Sequence, residues 1–220
     1  MKQFTFIFLL LIGTYACKTS QTDNLPDPSR FASEIAQFEN IAPVAAKEVV
    51  VFTGSSSVRM WKNVQDFYPQ YLVINTGFGG SQMSDLLHYL EETVLRFQPS
   101  KVFIYEGDND VNAGQSLKTI MQQTHKVVKE IEKKLPQAEI IIIGAKPSPA
   151  RWHLKAEYLD LNNSLKVFAD SKANRFYADV WTIMLDDNGM VREDIFIEDR
   201  LHMNDKGYQL WDQVMRLFLD

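Results

Sequence analysis

An α/β fold, with a parallel sheet covered by helices on both faces, is predicted by three features of the sequence. Apolar runs rich in β-branched residues recur along the chain, helical periods separate them, and most of the runs end at glycine. Alternating strand and helix implies right-handed crossovers and parallel pairing.

The first strand is read at 48–53 (Glu-Val-Val-Val-Phe-Thr), running into Gly54. The second, 71–75, leads through Thr76 to Gly77, and the third, 101–105, leads to Gly107. A fourth run of four isoleucines within 139–143 ends at Gly144, and a weaker fifth covers 175–181. Between them Met83, Leu86, Leu87, Leu90 and Val94 keep helical spacing, as do Leu117, Ile120, Met121, Val127, Val128, Ile131 and Leu135. Leu154, Tyr158, Leu161, Leu165 and Phe168 mark another helix, and Asn204 caps a last one carrying Tyr208, Trp211, Val214, Met215 and Phe218. A short helix at 31–38 precedes the first strand. In such sheets ligands bind beyond the carboxyl ends of the strands, where strand order reverses.

Polar segments sit at those ends. Ser55-Ser56-Ser57 follows the first strand, Gly79-Gly80 the second, and Asp108-Asn109-Asp110 the third, while Asp199-Arg200-Leu201-His202 precedes the last helix. A serine between strand and helix presents its hydroxyl in a sharp turn beside free N–H groups. Serine is a poor nucleophile until a base takes its proton, and His202, three residues after Asp199, has the spacing for that work. Asp199 would fix the imidazole tautomer and stabilise the imidazolium. Attack on an ester carbonyl builds charge on oxygen, and each donor aimed there is worth roughly 3 kcal/mol. Gly80 offers a backbone N–H, Asn109 a side-chain amide, and Ser56 its own N–H.

These segments resemble the blocks of the SGNH (GDSL-type) hydrolases over roughly 48–218. The resemblance makes Ser56 the nucleophile, Gly80 and Asn109 oxyanion donors, His202 the base and Asp199 its partner. It implies a flavodoxin-like three-layer α/β/α sandwich with a five-stranded parallel sheet, and ester hydrolysis without a cofactor. Members are esterases, lipases, thioesterases and carbohydrate deacetylases. Ser55 stands where the family usually has Asp, and it leaves Ser55 and Ser57 as competing nucleophiles, with register after Gly54 favouring Ser56.

Lys146-Pro147-Ser148-Pro149-Ala150-Arg151-Trp152 follows the fourth strand at the same edge. Arg151 and Trp152 suit sugars or carboxylates, or else belong to an ordinary rigid loop packed on the body. Arg59 and Trp61 either line the pocket or pack the first helix. His88, His125 and His153 fit no metal-site spacing, and no metal is expected.

At the amino end Lys2, the apolar stretch 4–12 and small residues before Cys17 form a secretory signal at 1–16, too short to span a bilayer. Cys17, the only cysteine, is placed as in a lipobox and is the expected lipidation site; structural disulfides are excluded. Residues 17–31 read as a polar tether with Pro26 and Pro28, and 32–220 as one hydrolase domain. Net charge is −5 and argues against nucleic acid as a partner. The expectation is therefore an exported, envelope-located serine esterase for short acyl groups on small or glycan esters, with membrane contact only through the lipid. The alternatives are a lipase or thioesterase for longer chains, or a non-catalytic carbohydrate-binding lipoprotein.

Overall fold

The computed structural model describes residues 25–41 and 48–219. Among them five strands form one parallel sheet: β1 (Val49–Gly54), β2 (Leu72–Gly77), β3 (Lys101–Tyr105), β4 (Glu139–Ile143) and β5 (Arg175–Ala178), ordered β2-β1-β3-β4-β5. Helices α1 (Ala32–Ile35), α2 (Ser56–Arg59), α3 (Val64–Phe67), α4 (Met83–His88), α5 (Leu90–Thr93), α6 (Asp108–Asn112), α7 (Leu117–Lys134), α8 (Lys155–Asp170) and α9 (Asp205–Met215) complete the chain. Expected Cys17 and the signal at 1–16 lie outside the described residues.

Period-2 alternation along buried strands assigns each face its own core. Val51, Val102, Ile104, Ile140 and Ile142 pack under α4, α5, α7, α8 and the amino-terminal segment. Val50, Phe52, Phe103, Ile141 and Ile143 pack under α2, α3 and α9. The result is the three-layer sandwich expected of SGNH hydrolases. The chain steps from β1 outward to β2, then back across β1 to β3. Strand order therefore reverses at β1 and β3, and α2 and α6 begin at the carboxyl ends of those two strands.

Local chemistry explains three departures from the sequence reading. The period over 83–94 is broken into α4 and α5 at Tyr89 (φ −101°, ψ 24°), whose hydroxyl donates to Pro28 O at 3.0 Å. The fifth strand stops at Ala178 because Asp179 Oδ1 accepts the N–H groups of Trp181 and Thr182, turning the chain off the sheet. The end of the expected tether is docked: residues 28–31 form a 3₁₀ turn that begins at the Asp27 cap and buries Phe31. The Asn204 cap is as read, with its Oδ1 accepting from Lys206 and Gly207 N–H. No helix among the described residues is long and apolar enough to cross a membrane.

Candidate active site

Gly54 brings the nucleophile loop against β3. Its φ is 125°, and a Cβ there would lie 2.0 Å from Tyr105 O, so the crossing requires glycine. Ser55 N–H donates to that same carbonyl at 3.0 Å and α2 starts at once, leaving the first N–H groups of the helix without intrahelical partners. Burial separates the three serines. Ser55 and Ser57 are each 1 % exposed, and Ser55 Oγ, where the family usually has a carboxylate, has no hydrogen-bond partner among the described residues. Ser56 alone is partly exposed.

Across from it, a tight loop between Phe196 and Met203, which bridge antiparallel, presents the other two groups. His202 Nε2 lies 2.8 Å from Ser56 Oγ, and His202 Nδ1 lies 2.6 Å from Asp199 Oδ2. Asp199 Oδ1 accepts the N–H groups of Leu201 and His202, each at 2.9 Å, which fixes the carboxylate with respect to the ring. Desolvation pushes this carboxyl up, but the His202 imidazole and the two N–H groups outweigh it and bring Asp199 down to about 2. Arg200 occupies the left-handed region at φ 57°, a conformation costing a non-glycine residue roughly 1 kcal/mol, and its carbonyl accepts Ala150 N–H at 3.1 Å. The loop after β4 is thereby tied to the histidine loop.

The loop after β2 carries Gly80 and is tied at two points. Phe78 N–H donates to Gly54 O at 2.8 Å, and Asn109 Nδ2 donates to Ser81 O at 2.8 Å, so the loop carrying Gly80 is held between α2 and α6. Gly80 has φ 81° and open space where a Cβ would stand. Its N–H has no partner among the described residues.

Residues 43–210 match the GDSL-like lipase/acylhydrolase family. The chain belongs to this family. Solved structures with the same fold include a GDSL-like lipase from Bacteroides thetaiotaomicron, with TM-score 0.72, 20 % identity and 88 % of this chain and 97 % of that one covered. A Streptococcus pneumonia protein described as a platelet activating factor aligns with TM-score 0.77 and 17 % identity over 88 % and 92 % of the two chains. An acetylxylan esterase from Geobacillus stearothermophilus aligns with TM-score 0.65 and 16 % identity over 81 % and 96 %. No curated protein matches significantly.

Behind Asn109 this acylhydrolase carries a buried ionic cluster. Asp108 accepts from Tyr105 Oη at 2.8 Å, Arg151 Nη1 at 2.5 Å and the Tyr158 hydroxyl, with Lys146 Nζ at 3.4 Å. Burial pushes Asp108 up, but Lys146, Arg151 and the two hydroxyls hold it well below the usual carboxylate range. Burial in turn lowers Lys146, which is fully enclosed, and Asp108 opposes that shift. Arg151 Nη2 also donates to Asn109 Oδ1 at 3.1 Å. One end of the Asn109 amide is thus fixed by a guanidinium and the other by Ser81 O, and a second Nδ2 hydrogen is left for a ligand. On the other side of Asn109, burial drives Glu106 well above its ordinary range, with Asp110 adding to the shift, while Glu106 accepts Ser81 Oγ at 2.5 Å. Asp110, pushed to about 7 by burial, accepts Met83 N–H at the start of α4.

Two expected substrate contacts in this GDSL-like chain need correction. Trp61 is 1 % exposed, stacked on Tyr208 and set edge-on to Phe52 and Trp211, so it belongs to the core and has no face for a ligand. Arg151 holds Asp108 and Asn109 instead of pointing a free fork outward. Trp152 stacks on Trp181 at 5.9 Å with Lys155 over its ring. Arg59 remains at the rim, its guanidinium over Gly79 and paired to Glu34 at 3.3 Å. His88, His125 and His153 lie off the site: His88 is edge-on to Tyr89, His125 stacks on Phe168, and His153 is exposed. Among the described residues no group of three or more His, Cys, Asp or Glu is placed to hold a metal.

Proposed function

We propose that this acylhydrolase is a serine esterase that removes short acyl groups such as acetyl, on carbohydrate or other small esters, through an acyl-enzyme on Ser56. The observation that carries the reading is the unbroken contact from Ser56 Oγ through His202 to Asp199, at 2.8 and 2.6 Å. With Nδ1–H donated to Asp199, Nε2 accepts the Ser56 proton as Oγ attacks the ester carbonyl. The N–H groups of Ser56 and Gly80 and the amide of Asn109 receive the charge that forms on oxygen. The imidazolium then protonates the departing alcohol, and water attacks the acyl-serine by the same route reversed.

The short-acyl part is supported by the fold shared with an acetylxylan esterase. A cavity of about 280 Å³ lies between α6, α7 and α8, lined by Val111, Leu117, Ile120 and Leu161 together with the polar Gln115, Glu157 and Asp160, and by no member of the triad. Because Val111 is on the same short helix as Asn109, that cavity is also what favours the second reading, a hydrolase for longer chains. A fluorophosphonate probe should label wild type at Ser56, and acetyl nitrophenyl ester should be cleaved faster than octanoyl. Faster octanoyl cleavage would replace the first reading by the second. Folded protein that takes no label would point instead to a binding module.

The same reading puts the enzyme in the cell envelope, exported by 1–16 and anchored through lipid on Cys17. Cys17→Ser is expected to move the protein from the membrane fraction to the soluble fraction. A wild type already soluble would refute the anchor.

A further inference from the structure

We propose that the helical segment ahead of the hydrolase core, residues 28–40, holds the oxyanion loop in shape through Glu34, a positioning residue for the Gly80 N–H. The inference rests on the oxyanion role given to Gly80 above. The segment lies before the start of the family match at residue 43.

The loop between β2 and α4 is pinned peptide by peptide. Phe78 N–H is held by Gly54 O at 2.8 Å, Phe78 O by Ser81 Oγ at 3.0 Å, and Ser81 O by Asn109 Nδ2 at 2.8 Å. Gly79 N–H remains, and its acceptor comes from outside the core: Glu34 Oε1 at 3.1 Å. The Gly79–Gly80 peptide, which bears the donor, lies between these pins. No atom comes within 4 Å of a Cβ built on Gly80, so packing around that position does not hold it. Its orientation depends on its neighbours.

The segment is itself firmly docked, as a pin must be. The Phe31 ring meets Phe78 edge-on at 5.1 Å, Arg30 pairs with buried Asp85 at 2.5 Å, and Ile35 and Phe38 are buried. Arg96 donates to Phe38 O at 3.3 Å and Glu39 O at 3.1 Å. A carboxylate near a developing oxyanion would oppose catalysis by its charge. Arg59, 3.3 Å from Glu34 and lying over Gly79, offsets that charge. What Glu34 contributes is therefore an oxygen acceptor at a fixed place, which a neutral amide can also supply.

The test uses the full chain and the variants Glu34→Ala and Glu34→Gln, with circular dichroism confirming the fold at assay temperature. A displacement of catalytic geometry on the order of 1 Å can cost about 100-fold, so Glu34→Ala is expected to lower kcat by about 10- to 100-fold with KM little changed. Fluorophosphonate labelling of Ser56 should slow in parallel, since phosphonylation also loads charge onto oxygen. Glu34→Gln, which keeps the acceptor, should recover most of both rates. An Ala variant with wild-type kcat and labelling, or a Gln variant as impaired as Ala, overturns the positioning role while leaving the esterase intact. Wild type that fails to label at Ser56 overturns the parent reading and this inference with it.

Discussion

Replacing His202 with alanine is expected to lower kcat for ester hydrolysis by about 10⁵- to 10⁶-fold, with KM little changed, because the group removed acts on the transition state and not on bound substrate. Nε2 lies 2.8 Å from Ser56 Oγ, within reach of its proton. Ser56→Ala should fall as far, and the double variant no further, since members of one proton-transfer unit are not additive. Additive losses would show that serine and histidine act separately. Asp199→Asn should cost about 10⁴-fold, because an amide that donates to Nδ1 favours the tautomer whose Nε2 already holds a proton. The pH profile tests the state of the Asp199 carboxyl. The Asp199 carboxyl lies at about 2, so it stays charged throughout the working range and cannot produce the acid limb of kcat/KM. An activity loss centred at the ordinary carboxyl value, near 3.8, would show that the contacts around Asp199 do not depress it. For stability the sign is also fixed. A carboxyl depressed from 3.8 contributes fully above that value and loses its contribution as pH falls toward 2.

The contact among Ser56, His202 and Asp199 was legible in the sequence because each of its pieces is local. Strand-ending Gly54 announces the turn that exposes Ser56, and Asp199 and His202 lie three residues apart, close enough for one loop to join them. The sheet was legible for a similar reason: strands covered on both faces are continuously apolar. What escaped depends on long-range packing. Trp61 looked like a pocket residue by its nearness to Ser56 in sequence, but the short α2 turns the chain under the sheet toward α9. Arg151 looked like a free fork because its partner Asp108 belongs to a motif usually read only for its asparagine. Lys146 follows a strand in a proline-rich loop, a setting that reads as exposed, and its complete burial follows only from Asp108 lying 3.4 Å away. Glu34 has no local signal at all. The sequence offered a short helix at 31–38, and the burial of Phe31, Ile35 and Phe38 that docks it appears only in the packed structure.

Asp108→Asn is expected to destabilise the fold by about 3–5 kcal/mol, as the loss of one partner from a buried ion cluster does, and so to lower Tm by roughly 10 °C. The side chains of Asp108, Lys146 and Arg151 are 6 %, 0 % and 12 % exposed, so water cannot replace the missing carboxylate. Two cations would face each other across an amide, and the enclosed one, Lys146, would have to lose its proton or pull the loop open. Adding Lys146→Met to Asp108→Asn should therefore recover part of the loss, and a double-mutant cycle should give a coupling of about 1 kcal/mol or more. Simple additivity in thermal melts would show that the two groups do not sense each other. The pH dependence follows from the depressed Asp108 carboxyl: its contribution is complete above 3.8 and is lost on acidification. Asp110 runs the other way, since a carboxyl raised to about 7 contributes most when neutral and loses that contribution as pH rises through 7. Activity should drop along with stability in Asp108→Asn, because Arg151 then loses the 2.5 Å anchor from which it holds Asn109 Oδ1. The chain thus fastens Asn109 and the Gly79 peptide by separate means, Asn109 through the Arg151 guanidinium of a buried charged cluster and Gly79 N–H through the Glu34 carboxylate of the amino-terminal segment. Either fastening can be loosened without touching serine, histidine or aspartate of the triad.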